Sequence, residues 1–132
     1  MARILVVDDN SDNRDVLTRL LAFGGHETTT ANDGQSALAQ ASRTPRPDLV
    51  LMDLAMPKMD GWTATAVFRE DPALAHIPII AVTGHVTSRE IHRAQDAGCS
   101  DLVSKPIDYY VLMDKIANHL GQDPVGRSRT RE

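Results

Sequence analysis

The chain has 132 residues, 42% hydrophobic and 24% charged, the size and balance of one globular domain, which excludes disordered and fibrous classes. Its formal charge is −4, and the first 120 residues hold eleven bases against sixteen acids, which argues against nonspecific nucleic-acid binding and a basic membrane patch. Cys99 is the only cysteine and no apolar run approaches the ~20 residues of a membrane span, so a reducing, cytoplasmic setting is expected.

Met1-Ala2-Arg3 leads at once into an apolar run, leaving no room for a signal peptide. That run, Ile4-Leu5-Val6-Val7, ends in Asp8-Asp9. Val16, Leu17, Leu20 and Leu21 then repeat as one buried stripe of a first helix, which Gly24-Gly25 ends. A weaker run, Glu27 to Ala31, reads as an edge strand. Asp33 caps a second helix with Ala37, Leu38 and Ala41 inward, stopped by Pro45 and Pro47. Asp48 to Asp53 is the next strand; a proline turn and a glycine, within Met56 to Trp62, come right after it, and a helix runs from about Thr63 to Arg69. Pro78 to Thr83 is the third apolar run, and a helix starts near Thr87-Ser88 and stops at Gly98. Asp101 to Ser104 forms a polar outer strand. Asp108 caps a last helix with Val111, Leu112, Ile116 and Leu120 inward, closed by Gly121. Residues 1–121 read as one domain and 122–132 as a polar tail.

Continuous apolar runs mark strands buried on both faces. Five strands alternating with five helices predict a doubly wound α/β fold with right-handed crossovers: a five-stranded parallel sheet in the flavodoxin-like order 2-1-3-4-5. In such sheets the crevice lies beyond the carboxyl ends of the strands. The residues there are Asp8 and Asp9, Asp53, Thr83 with Gly84, and Lys105 with Pro106. Each acid taken alone is more often a helix cap, and Asp8, Asp9 and Asn10 are all candidates for that duty. Three acids, a hydroxyl and a lysine at successive strand ends are hard to reach by capping. Carboxylates 4 Å apart cost on the order of 4 kcal/mol per pair at an effective dielectric near 20, so such a cluster holds protons or a cation. All-oxygen donors select a hard ion such as Mg²⁺.

The segments Ile4 to Asn10, Leu51 to Gly61, Val82-Thr83 and Ser104-Lys105-Pro106 resemble the receiver domains of bacterial two-component response regulators, the CheY-like family, over residues 2 to about 120. The resemblance implies a phosphoacceptor at Asp53. It implies a Mg²⁺ site of Asp8, Asp9 and Asp53 with the Ala55 carbonyl. It further implies a hydroxyl at Thr83 and an ammonium at Lys105 that meet the phosphoryl oxygens, and a cis Lys105-Pro106 bond. The donor would be a histidine kinase or a histidine phosphotransfer protein. Two departures stand out: Leu102 replaces the usual aromatic residue, and Gly84 the usual alanine. Leucine lacks a ring's polar edge, so Leu102 is expected to stay packed in both signalling states. His85 reads as a loop histidine.

The resemblance also implies two partner surfaces, one served by Asn13, Val16 and Pro106 and a second by Ile91, Tyr109, Tyr110 and Met113, with core packing the expected role of at least half of that second set. A stand-alone regulator is the expected form, with a receiver fragment of a hybrid histidine kinase as the alternative and a Mg²⁺-dependent phosphatase behind both. A flavin carrier of the same fold would need a hydroxyl- and glycine-rich phosphate loop where Asp8-Asp9-Asn10-Ser11-Asp12 stands.

Overall fold

The computed structural model describes residues 2–54, 61–84 and 87–121. Its elements run β1 (Arg3–Val7), α1 (Ser11–Phe23), β2 (Glu27–Ala31), α2 (Gly34–Ala41), β3 (Leu49–Asp53), α3 (Gly61–Glu70), β4 (Ile79–Thr83), α4 (Ser88–Ala97), β5 (Asp101–Ser104) and α5 (Tyr109–His119). The strands form one parallel sheet in the order β2-β1-β3-β4-β5, as the sequence predicts.

The apolar runs divide between two cores. Ile4 and Val6, Leu49 and Leu51, Ile80 and Val82 face α1 and α5, where they meet Leu17, Leu21, Leu112, Met113 and Ile116. Leu5 and Val7, Val50 and Met52, and Ile79 face the other way, onto Ala37, Ala41, Ala64, Phe68, Leu74 and Ile77. Side chains alternate faces along a strand, so a run with no polar residue is what a strand covered on both sides requires. The chain ends of the helices follow local chemistry. Asp33 accepts the Ser36 N–H at 2.7 Å, Thr87 the Glu90 N–H at 3.2 Å, and Asp108 the N–H groups of Tyr110 and Val111.

Two residues expected inside are outside. Val16 is 54% exposed and Val111 47%, because the buried stripes run through Leu17 and Leu21 on α1 and through Leu112, Met113, Ile116 and Ala117 on α5. Each valine sits about 100° around its helix from the first of those positions. α3 begins at Gly61, two residues earlier than its sequence predicts.

Arg69 ties the far side of the molecule together. Its guanidinium donates to the carbonyls of Gly98, Ala75 and Ile77 at 2.8, 2.9 and 2.7 Å and to Ser100 Oγ at 3.3 Å. Nearby, Arg93 of α4 stacks 4.5 Å from the Trp62 ring centroid on α3. At the opposite end of β1, the Ala2 N–H donates to His26 Nδ1 at 3.2 Å, a bond only neutral imidazole accepts. Burial and, secondarily, the chain's amino terminus hold His26 below its ordinary pKa.

Replacing Arg69 with Met leaves several carbonyls without a donor and is expected to cost about 2–3 kcal/mol in urea unfolding; a loss under about 0.5 kcal/mol would reduce the guanidinium to surface decoration. Since His26 binds its proton less readily in the folded chain, its contribution is complete above pH 6.5 and fades as pH falls through that value. The expected observation is a flatter stability profile between about pH 7 and pH 5 for His26→Gln than for the parent chain.

Candidate functional site

Asp8 continues the β1 ladder by one bond, its N–H donating to the Ala31 carbonyl at 3.1 Å, and its side chain is buried. Asp8 Oδ1 accepts the Asn10 N–H at 2.9 Å. Asn10 in turn accepts the Asn13 N–H at 3.0 Å and is the N-cap of α1. The capping duty therefore falls on Asn10, which releases Asp8 and Asp9 from it. Asp8 Oδ2 is buried and has no hydrogen-bond partner among the described residues.

Asp53 is the last residue of β3, buried, and paired in register with Val82. Oxygen atoms of Asp8, Asp9 and Asp53 all lie within 4.8 Å of one another. Lys105 Nζ stands 3.8 Å from Asp53 Oδ1. The Lys105 N–H donates to the Thr83 carbonyl at 2.8 Å, so the lysine leaves the sheet beside the end of β4, where Thr83 is buried. The Lys105-Pro106 bond is cis. Gly84 is exposed, and a methyl group built on it meets nothing within 4 Å. The topology thus brings together Asp8, Asp9, Asp53 and Lys105. Ala55 and His85 lie outside the described residues. Leu102 is half-buried.

Gly61 opens α3 flush against this strand end. A methyl there would overlap the Asp53 carbonyl oxygen and lie 2.7 Å from Leu54 Cα. No larger residue fits without displacing the Asp53 backbone. The sequence gives Gly61 only as part of a proline-glycine loop; its contact with Asp53 emerges from the fold. Arg14, whose Nη1 donates to the Asp8 carbonyl at 2.7 Å, looks in the sequence like any first-turn arginine.

One ammonium offsets one of three carboxylates. The remainder repel, with a cost on the order of 4 kcal/mol per pair at close range. The donor set contains oxygen alone, and one buried oxygen has no partner, so the residues present fit a hard divalent cation. Beside Asp8 and Lys105 a groove of about 310 Å³ opens between α1 and the turn after β5, rimmed by Asn13, Val16, Leu20, Pro106 and Ile107. A larger cavity of about 430 Å³, lined by Glu27, Thr28, Arg43 and Pro45 among others, lies at the amino end of β2. On the α4–α5 side, Ile91 and Tyr110 are exposed, Tyr109 packs against the core, and Met113 is buried and removed from any partner surface.

A profile of the response regulator receiver domain matches residues 4–117. The response regulator PleD of Caulobacter vibrioides is 39% identical over 115 residues, 87% of this chain, and the chain spans 25% of that protein's length. The polar-differentiation response regulator DivK of Brucella anthropi is 36% identical over 118 residues, covering 89% of this chain and 95% of DivK. Among solved structures, the chemotaxis protein CheY4 of Vibrio cholerae superposes with a TM-score of 0.85 at 28% identity, covering 91% of this chain and 99% of that one. The receiver domain of sensor histidine kinase PA1611 from Pseudomonas aeruginosa, with a magnesium ion coordinated in its active-site cleft, gives 0.84 at 31% identity over 92% and 98%.

Removing one like charge relieves the cluster when no cation is present. In EDTA, Asp8→Asn and Asp9→Asn are each expected to raise the melting temperature by about 4 °C, equivalent to about 1 kcal/mol. A fall in both variants would mean that these acids serve the fold and not a cation.

Proposed function

The chain belongs to the response regulator receiver domain family, and from that premise we propose that Asp53 accepts a phosphoryl group from a histidine kinase or a histidine phosphotransfer protein. The observation that carries this reading is a buried carboxylate at the end of a central strand, with an ammonium 3.8 Å away and two more carboxylates within 4.8 Å. An Asp53 oxygen attacks phosphorus, the phosphorus–nitrogen bond to the donor histidine breaks, and an acyl phosphate forms as the imidazole leaves with the electron pair. Phosphoryl transfer passes through a loose transition state, so the chain's contribution is positioning and charge. Lys105 faces the developing oxygen charge, and the Thr83 hydroxyl donates to a phosphoryl oxygen. The N–H of Gly84, an exposed residue that follows Thr83, is a further donor for that charge. Asp8, Asp9 and Asp53, with the Ala55 carbonyl, would hold Mg²⁺, which when bound neutralises charge on the transferring oxygens.

The product adds roughly −2 at neutral pH and three acceptor oxygens at the end of β3. Thr83 and Lys105 follow those oxygens, and the segments after β4 and β5 move with them, which shifts the population between two arrangements of those segments and α4. The chain is a signalling switch, and its chemistry acts on its own carboxylate. The donor docks over the groove rimmed by Asn13, Val16 and Pro106, which Asp8 and Lys105 also line. This reading puts the chain in the cytoplasm.

Acetyl phosphate with Mg²⁺ is expected to add one phosphoryl group by intact mass, and Asp53→Asn to abolish the addition. Persistent labelling of that variant would move the acceptor to Asp8 or Asp9.

A further inference from the structure

The loop that carries the two aspartates is clamped from outside the carboxylate cluster. Arg14, in the first turn of α1, reaches back six residues to donate Nη1 to the main-chain carbonyl of Asp8 at 2.7 Å. The Asp8 peptide unit is thereby held on every side. Its N–H is on the Ala31 carbonyl, its own carbonyl is on Arg14, and its carboxylate Oδ1 is on the Asn10 N–H. The Asn10 side chain is tied in turn to the Asn13 N–H, so both anchors of the loop belong to the first turn of α1. The one group of Asp8 without a protein partner among the described residues is the buried Oδ2.

Two consequences of Arg14 oppose each other. A guanidinium beside an acidic loop repels an incoming cation. A short charge-assisted bond on the loop's carbonyl also fixes the direction of the carboxylate that follows from it, before any cation arrives. Mg²⁺ demands near-ideal octahedral geometry at short metal–oxygen distances, so it is sensitive to ligand direction. Groups that orient ligands typically change metal affinity 10- to 100-fold. Arg14 is half-buried and bonded to a carbonyl, and no ion pair joins it to a carboxylate among the described residues, so its action on the aspartates runs through the backbone.

We infer that Arg14 is a positioning residue for the divalent-cation site, which presets Asp8 and the adjoining Asp9 by clamping the Asp8 carbonyl, and that this preorganisation outweighs the repulsion of its charge. The inference rests on the reading of Asp8, Asp9 and Asp53 as the cation's ligands.

The test is calorimetric titration of the full chain with MgCl₂ alone, with amide exchange of Asn10 measured in EDTA. Arg14→Met is expected to weaken Mg²⁺ binding about 10-fold and to speed Asn10 exchange in the metal-free chain. Arg14→Lys, which keeps the charge and N–H donors but not the planar fork, recovers part of both. Should the Met variant fail to fold, Arg14→Gln, with a donor and no charge, is compared with the parent and is expected to bind Mg²⁺ less tightly. Parent and substituted chains with equal affinity, or tighter binding after substitution, overturn the inference alone. A parent chain that takes up no Mg²⁺ overturns both the ligand reading and the inference that rests on it.

Discussion

Three carboxylates gathered within 4.8 Å are the constraint on which the rest of this molecule depends. Left to themselves, side chains with that much mutual repulsion would swing apart into water. They stay together because two of them are buried at the ends of β1 and β3, whose apolar residues are packed into one of two cores. The sheet supplies the rigidity, and its stability offsets the repulsion. Lys105, arriving from the end of β5 two strands along the sheet from β3, neutralises part of the excess charge at 3.8 Å. The same arrangement leaves a site whose charge a cation or a phosphoryl group changes strongly, and that sensitivity makes it usable as a switch.

Much of this was legible in the amino acids because the physical signals were local. Ile4 to Val7, Leu49 to Met52 and Ile79 to Val82 carry no polar residue, and only a strand covered on both faces tolerates that. Asp33, Thr87 and Asp108 precede helices and cap them. Asp8, Asp53, Thr83 and Lys105 interrupt or end apolar runs, and the topology carries them to a common edge. The helix faces were less legible. Valine is apolar wherever it stands, and neither Val16 nor Val111 announces that its neighbours have already filled the core. Asp8, Asp9 and Asn10 are all good caps by type; only the backbone direction at Asn10 decides among them.

The long-range contacts had no signal at all. Arg69 answers carbonyls from the connection between α3 and β4 and from the end of α4, and such a convergence exists only after the chain has folded. Gly61 reads as a turn glycine, yet its lack of a side chain is demanded by the Asp53 carbonyl lying against it. A close approach between distant backbones leaves no periodicity behind. The same holds for Arg14, whose partner is a main-chain oxygen and whose charge therefore suggests the wrong kind of contact.

The groove beside the site has a rim of a different character from its floor. Val16, Asn13 and Pro106 are exposed, whereas Asp8 and Val82 behind them are buried. Substitutions at exposed positions usually change stability by no more than about 0.5 kcal/mol, while those in a packed floor cost several times that. The rim is thus free to drift under mutation and the floor is not. With a donor docking on that rim as proposed, two copies of such a chain after a gene duplication would diverge first in what they recognise, long before they differ in the chemistry they perform. Cross-talk between parallel circuits in one cell is then limited by a handful of surface side chains that folding itself leaves unconstrained.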